Sequence, residues 1–317
     1  MKGKRTDVWF RMQNLPKKTR SKLLLVAISL GIGCLLAFAL AEFSCRLLGF
    51  GGGIVYESEL YRTAAAPLAY ELVPGYAGNS YRSKVTVSAD GFRRTGAEGE
   101  RPIACVGDSC TFGMGVDDTD AWPAQLAGIA DTATINAGIC GYNLTQCRAV
   151  IEDKLLPLGP AAVIIGINPN DLEPAYAFDG QYIVFPKARK SLPIPGKRLL
   201  RAHSHFYQFA ALRYRALVNR FSDAPVIADP DAVLADGMRP DLSAIKAACD
   251  AAGVPLICVL ICFKNAHLSA LCEELGIAIS NGMYEAEDML PDSHPNPEGH
   301  RKIATAAAEL LSRSKSN

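Results

Sequence analysis

Between residues 103 and 280, five short runs are apolar almost from end to end: 103–106 (IACV), 133–137 (ATINA), 161–167 (AAVIIGI), 254–261 (VPLICVLI) and 276–280 (GIAIS). Stretches with helical periodicity separate most of them, over 122–130, 144–156, 241–252, 266–275 and 297–313. A strand with one face in water alternates apolar and polar residues, and these runs do not, so both of their faces must be covered. Strands of this kind alternating with helices predict a parallel sheet of about five strands between two helical layers, a three-layer α/β/α domain. In such sheets ligands gather at the carboxyl ends of the strands.

A different constraint acts at the amino terminus. Residues 1–22 carry eight Lys or Arg against the single acid Asp7, and Leu23–Ala41 (LLLVAISLGIGCLLAFALA) then runs without a charge until Glu42. As a helix this run is roughly 28 Å long, close to the hydrocarbon thickness of a bilayer. The basic flank predicts a cytoplasmic amino terminus, with residues 43–317 on the periplasmic or extracellular side. Ala39-Leu40-Ala41 also has the small-x-small form of a secretory cleavage site, but the apolar run is longer than a signal core, which favours a retained anchor. Neither Cys34 nor Cys45 has the preceding residues of a lipid-modified cysteine.

These features divide the chain into a basic head (1–22), a transmembrane signal-anchor (23–41), a linker and lead-in (42–100) and the main domain (101–317). The lead-in contains the glycine hinge Gly51–Gly53 and one expected strand around KVTVSADGF, in which Val85 and Val87 alternate with polar neighbours. An insertion over 172–240 interrupts the alternation. From Lys187 to Arg220 it holds nine bases (Lys187, Arg189, Lys190, Lys197, Arg198, Arg201, Arg213, Arg215 and Arg220) and no acid. Such a run is usually a solvated face, but beside a bilayer it is also a candidate contact for an anionic lipid or glycan surface. Nucleic acid is not expected as a partner outside the cytoplasm.

Ten cysteines are tolerable in an oxidising compartment, and disulfides among Cys105, Cys110, Cys140 and Cys147 are compatible with one. No cysteines have the paired spacing of a zinc site, and His203 and His205 lack acidic or cysteine companions, so they read as a solvated helix start; neither a metal nor an organic cofactor is expected. His300 reads as a surface or packing residue of the last helix, and Trp122-Pro123 as a helix start packed on the sheet.

Chemistry-bearing residues fall at the strand ends. Gly107 and Asp108 break the first run, which puts Ser109 where a strand turns into a helix, with Asp108 shaping the turn. The second run ends in NAGICGYN, where Gly138 and Gly141 would allow close backbone approach to a ligand. The third ends in GINPNDLEP, offering the amides of Asn168 and Asn170. After the fifth comes LPDSHPNPEGH, with Asp292 two residues before His294, Asn296 placed to cap the last helix and Pro297 at its first position. A serine hydroxyl becomes a useful nucleophile when an imidazole takes its proton, and the imidazole needs its other nitrogen held by an acceptor.

Taken in order, LVPGY (72–76), DGFRR (90–94), GDSCTFGMGV (107–116), AWPAQL (121–126), NAGICGYN (136–143) and HPNPEGHRKIA (294–304) resemble the SGNH or GDSL-type hydrolases, in particular their membrane-anchored bacterial members. The resemblance covers roughly residues 70–312 and implies a flavodoxin-like fold. It implies Ser109 as nucleophile, His294 as base and Asp292 as its orienting acid. The oxyanion hole would be built from the Ser109 and Gly141 amides and an asparagine side chain. The family's Gly-x-Asn-Asp block reads GINPND here, and the resemblance of NDLEP to the anchored members makes the asparagine Asn170, which keeps the Asn-Asp pair, with Asn168, which keeps the glycine spacing, as the alternative. The common Asp-x-x-His spacing is replaced by Asp292-Ser293-His294, with Pro291 at the usual acid position. Cys110, next to the nucleophile, reads as packing or a disulfide partner.

The function so implied is ester hydrolysis through an acyl-serine, on a lipid or an acylated envelope glycan. Two alternatives share the motifs: an O-acyltransferase delivering the acyl group to a sugar hydroxyl, and a catalytically silent envelope-binding module.

Overall fold

The computed structural model describes residues 16–50, 58–97, 99–180, 183–184, 194, 196–220, 228–281, 285–290 and 292–314. Most of the basic head, the Gly51–Gly53 hinge, Lys187, Arg189, Lys190 and Pro291 lie outside the described residues. The chain forms two units, one comprising Met1–Gly53 with Leu192–Ala224, the other Ile54–Ser191 with Pro225–Asn317.

Helix α1 (Lys17–Leu47) contains the apolar run. The lead-in then forms two small antiparallel pairs, Tyr61–Thr63 with Tyr70–Leu72 and Ala77–Ser80 with Ser83–Thr86, where one strand is expected from sequence. Strands of three or four residues are too short to show periodicity. The main sheet begins with β1 (Ile103–Gly107), followed by α2 (Ser109–Phe112), α3 (Trp122–Ala130), β2 (Thr134–Gly138), α4 (Leu144–Val150) and β3 (Ala162–Ile167). Helices α5 (Lys197–His203) and α6 (His205–Arg220) belong to the first unit, after which come α7 (Pro230–Ala251), β4 (Leu256–Leu260), α8 (Ala266–Glu274), β5 (Ala278–Asn281) and α9 (Pro297–Ser314).

All five main strands are parallel and lie in the order β5-β4-β3-β1-β2. The chain passes from β1 to β2 on one side and then to β3 on the other. Ser109 therefore sits at the point where the winding reverses, the position at which open α/β sheets bind ligands.

The uninterrupted apolarity of the strands conceals a period of two. Ala104, Val106, Val163, Ile165, Cys258 and Leu260 point into the core beneath α4, α7 and α8, whereas Ile103, Cys105, Ile164, Ile257 and Val259 point into the core beneath α3 and α9. Each buried Val, Leu or Ile contributes about 1.5–3 kcal/mol of transfer free energy, which both faces collect.

Two helices differ from expectation. The helix expected over 144–156 continues past α4 as a π-turn (Ile151–Leu155) and a 3-10 turn (Leu156–Leu158), ending at Gly159 in the left-handed conformation. The helix expected from 241 starts at Pro230, where Pro occupies the first position and Asp229 accepts a bond from the Ala232 amide.

On α9, His300 is fully buried, its Nδ1 accepting from the Trp122 amide at 3.2 Å and its Nε2 left without a partner. Burial, then the nearby charge of Arg93, pushes its pKa down to about 3. The folded state thus favours neutral His300 while the unfolded chain protonates near 6.5, so the stability from this residue is complete above pH 6.5 and is lost as pH falls toward 3. The loss should reach roughly 3 kcal/mol by pH 4. Urea midpoints of wild type and His300→Gln, compared at pH 7 and pH 4.5, should show a smaller fall in the variant; parallel falls would refute the assignment.

In the first unit, Glu42 of α1 caps α6 from outside. Its carboxylate accepts from the amides of His205 (3.0 Å) and Phe206 (2.9 Å) and from the Ser204 hydroxyl (2.8 Å), supplying acceptors that a helix start lacks. Arg46, one turn further along α1, donates to Glu42 and to the His203 carbonyl, each at 2.7 Å. Phe38 meets Phe206 edge-on at 5.8 Å, and Phe50 meets Phe209 at 5.4 Å. The expected solvated His203 and His205 are thus an exposed residue closing α5 and a half-buried one opening α6. No group of three His, Cys, Asp or Glu side chains is placed to hold a metal among the described residues.

Candidate active site

The Ser109 turn is shaped by Asp108, which is almost fully buried. Asp108 Oδ1 accepts from the Cys110 amide at 2.9 Å, capping α2, and from Asn168 Nδ2 at 2.8 Å. Its Oδ2 accepts from Asn170 Nδ2 at 3.1 Å and lies 3.4 Å from Ser109 Oγ. One carboxylate thereby ties the end of β1 to the loop after β3, and both candidate asparagines converge on it. Asn168 is buried on the Cys110 side; Asn170 is half-exposed on the Ser109 side.

His294 completes the pair, its Nε2 standing 2.9 Å from Ser109 Oγ. A single hydroxyl proton has one acceptor, and the imidazole is closer than Asp108. His294 Nδ1 lies 3.3 Å from Asp292 Oδ1, within ion-pair range but off the line of a hydrogen bond, so this buried nitrogen has no properly aligned acceptor. Asp292 Oδ1 also accepts the His294 backbone amide at 3.2 Å. Burial opposes ionisation of Asp292, but the His294 side chain and amide outweigh it and hold the carboxyl below its usual range. The loop is drawn tight by Leu290 N–H donating to the His294 carbonyl at 2.7 Å, with Ser293 between them in the left-handed region (φ 70°).

The two glycines after β2 have different tasks. A Cβ on Gly138 would lie 2.2 Å from the Phe112 amide nitrogen, so this glycine lets β2 touch the backbone of α2, whereas the sequence reading assigns it to a ligand. Gly141 (φ 80°) has Tyr176 and the Tyr70 hydroxyl against it, where a Cβ would meet the Tyr176 ring at 2.5 Å. Tyr70 in turn donates to the Cys140 carbonyl at 2.8 Å.

Sequence reasoning missed two supporting residues. Arg93, within DGFRR, is fully buried and uses its whole guanidinium. Nε donates to Asp118 Oδ1 (2.8 Å), one terminal nitrogen to the carbonyls of Phe112 (2.8 Å) and Gly113 (2.6 Å), and the other to those of Lys84 (3.0 Å) and Val116 (2.7 Å). It closes the carboxyl end of α2 and stacks 4.7 Å from the Phe112 ring centre. Asp171, the Asp of GINPND, is buried, accepting the Asn168 amide through Oδ2 at 2.9 Å with no partner for Oδ1. Burial, then the adjacent Asp108 charge, pushes its pKa well up and favours the protonated acid.

All ten cysteines are free in the structure, which joins none of Cys105, Cys110, Cys140 and Cys147 in the disulfides entertained among them. These four are buried in two different cores, Cys105 and Cys110 on one face of the sheet and Cys140 and Cys147 on the other.

A model of the GDSL-like Lipase/Acylhydrolase family matches residues 105–302. Among solved structures, the chain is similar to the psychrotrophic esterase EstA from Pseudoalteromonas sp., with 15% identity over 69% of this chain and 100% of that one and a TM-score of 0.43. It is also similar to Axe2, an acetyl xylan esterase from Geobacillus stearothermophilus, with 14% identity over 69% and 97% of the two chains and a TM-score of 0.40. No curated protein matches it.

Proposed function

Because this chain belongs to the GDSL-like lipase and acylhydrolase family, a family of ester-cleaving enzymes, we propose that it hydrolyses a carboxylic ester with Ser109 as nucleophile and His294 as general base. The observation that carries this reading is the 2.9 Å contact between Ser109 Oγ and His294 Nε2. In the first step the hydroxyl proton passes to Nε2 while Oγ attacks the acyl carbon. The imidazolium then protonates the departing alcohol, leaving an acyl-serine. Water, deprotonated by the same nitrogen, attacks the acyl-serine and restores the enzyme. Asp292, 3.3 Å from Nδ1, favours the tautomer whose Nε2 accepts.

The oxyanion would be held by the Ser109 and Gly141 amides and by Asn170. Donors of this kind contribute roughly 3–4 kcal/mol each in measured cases. Asn170 is preferred over Asn168 because its amide meets Asp108 at Oδ2, the oxygen nearer Ser109 Oγ, while Asn168 is committed to the buried oxygen that caps α2. The acyl group would come from a lipid or an acylated envelope glycan. We further infer that α1 anchors the chain in a membrane with the amino terminus in the cytoplasm. Support comes from the span Ser21–Leu47, whose apolar 18-residue stretch has mean hydropathy 2.7 and holds no buried residue, and from the basic flank before it.

A fluorophosphonate tests the reading, since it phosphonylates only an activated serine. Label is expected on wild type and Cys110→Ala and absent from Ser109→Ala. An unlabelled wild type would favour the silent binding module.

A further inference from the structure

The turn that follows β2 has two available settings, and one buried hydroxyl holds it in one of them. The Tyr142 amide donates to the Ile139 carbonyl at 3.1 Å, closing a four-residue turn with Cys140 and Gly141 at its centre. Gly141 has φ 80°, the sign that a type II turn requires at its third position. Type I differs from type II chiefly by a rotation of the central peptide, which exchanges the directions of its C=O and its N–H. Here that peptide joins Cys140 to Gly141. Because a trans peptide is planar, its carbonyl and its N–H point opposite ways, and whatever fixes the first also fixes the second.

Tyr70 fixes the carbonyl. Fully buried on the strand Tyr70–Leu72, it donates its hydroxyl to the Cys140 carbonyl at 2.8 Å. Its ring is held edge-on by Tyr61 at 5.5 Å and by Tyr142 at 5.4 Å. The Tyr142 hydroxyl donates back to the Tyr70 carbonyl, so turn and strand are joined in both directions. At the other end of the same peptide, the N–H of half-buried Gly141 meets no acceptor among the described residues.

We propose that Tyr70 is a positioning residue for ester hydrolysis, its hydroxyl holding the Cys140–Gly141 peptide in the setting that aims the Gly141 N–H at the oxyanion. The inference rests on the roles of Ser109 and Gly141 in the hydrolase reading above, and it assigns the control of one donor to the lead-in. Tyr70 touches no reacting atom. It acts through the direction of the peptide and through charge, since a hydrogen bond to a carbonyl polarises the attached N–H and makes it a better donor. Without the hydroxyl, the buried Cys140 carbonyl loses its partner, and a glycine at the third position lets the peptide rotate at little steric cost. A rotated peptide would turn a carbonyl oxygen toward the developing negative charge, repelling where the N–H attracts.

Tyr70→Phe keeps the ring and deletes the bond. In the full chain in detergent, the rate constant for phosphonylation of Ser109 by a fluorophosphonate should fall roughly 10- to 100-fold, somewhat less than when an oxyanion donor is removed outright. The kcat for an aryl acetate should fall by a similar factor while KM stays within about threefold, because the oxyanion forms only after the substrate has bound. The fraction of protein finally labelled should match wild type. A role in folding alone would lower that end point and leave the rate constant of the remaining sites unchanged. Tyr142→Phe, which frees the Tyr70 carbonyl instead, should show the same split with a smaller loss, and it carries the test if Tyr70→Phe does not fold. A rate constant within about twofold of wild type would overturn the proposal, as would a loss confined to KM. A wild type that takes no label would overturn the hydrolase reading itself, and this proposal with it.

Discussion

Replacing His294 by alanine is expected to lower kcat for hydrolysis of an aryl acetate roughly 10⁴- to 10⁶-fold, the range seen when the imidazole of a serine hydrolase is removed. The expectation rests on geometry: His294 Nε2 is the only imidazole nitrogen hydrogen-bonded to Ser109 Oγ among the described residues. Asp292→Asn should cost about two orders of magnitude less, because the carboxylate orients the base without touching the reacting atoms. The slanted 3.3 Å approach to Nδ1 points the same way. Steady-state rates for the two variants, with fold checked by circular dichroism, decide the matter. A His294→Ala enzyme within tenfold of wild type would remove His294 from the mechanism, and an Asp292→Asn loss as large as that of His294→Ala would make the carboxylate a full partner.

The largest expected effect on stability lies at Arg93. Arg93→Ala should destabilise the domain by about 3–5 kcal/mol, since it leaves the Asp118 carboxylate without its buried cation and four carbonyls without their donor. That is a large share of the roughly 5–15 kcal/mol by which domains are stable. Arg93→Lys should recover little of it, because one ammonium cannot span acceptors on Lys84, Phe112, Gly113, Val116 and Asp118 at once. The midpoint of urea unfolding measures the difference, and a shift worth less than 1 kcal/mol would show that the network is dispensable.

Arg93 also marks where sequence reasoning stops. The five strands are legible because each is an apolar run and four of them are closed by glycine or asparagine, and strand ends are where this fold class places its chemistry. That rule makes Ser109 and His294 candidates, the family resemblance supplies their roles, and the structure brings them together although 185 positions separate them. No comparable rule announces that an arginine in a lead-in loop will collect acceptors from Lys84 and from the stretch 112–118, since such bonds exist only once the chain has folded. The start of α7 was hidden for a local reason. Proline and glycine are the usual helix breakers, and Pro230, Gly237 and Pro240 precede the expected start; yet a first-turn proline is favourable, and the cost of Pro240 in the helix interior is offset by packing of Met238, Leu242 and Ile245 in the core.

The cap that Glu42 places on α6 has a bearing on how the chain is processed. Scission after Ala41 would detach Phe38 from Phe206 and leave the acceptor for the first turn of α6 on a freshly exposed, positively charged end. The first turn of α6 would then be capped by a chain end. A cut at that small-x-small site and an intact cap on α6 therefore exclude each other.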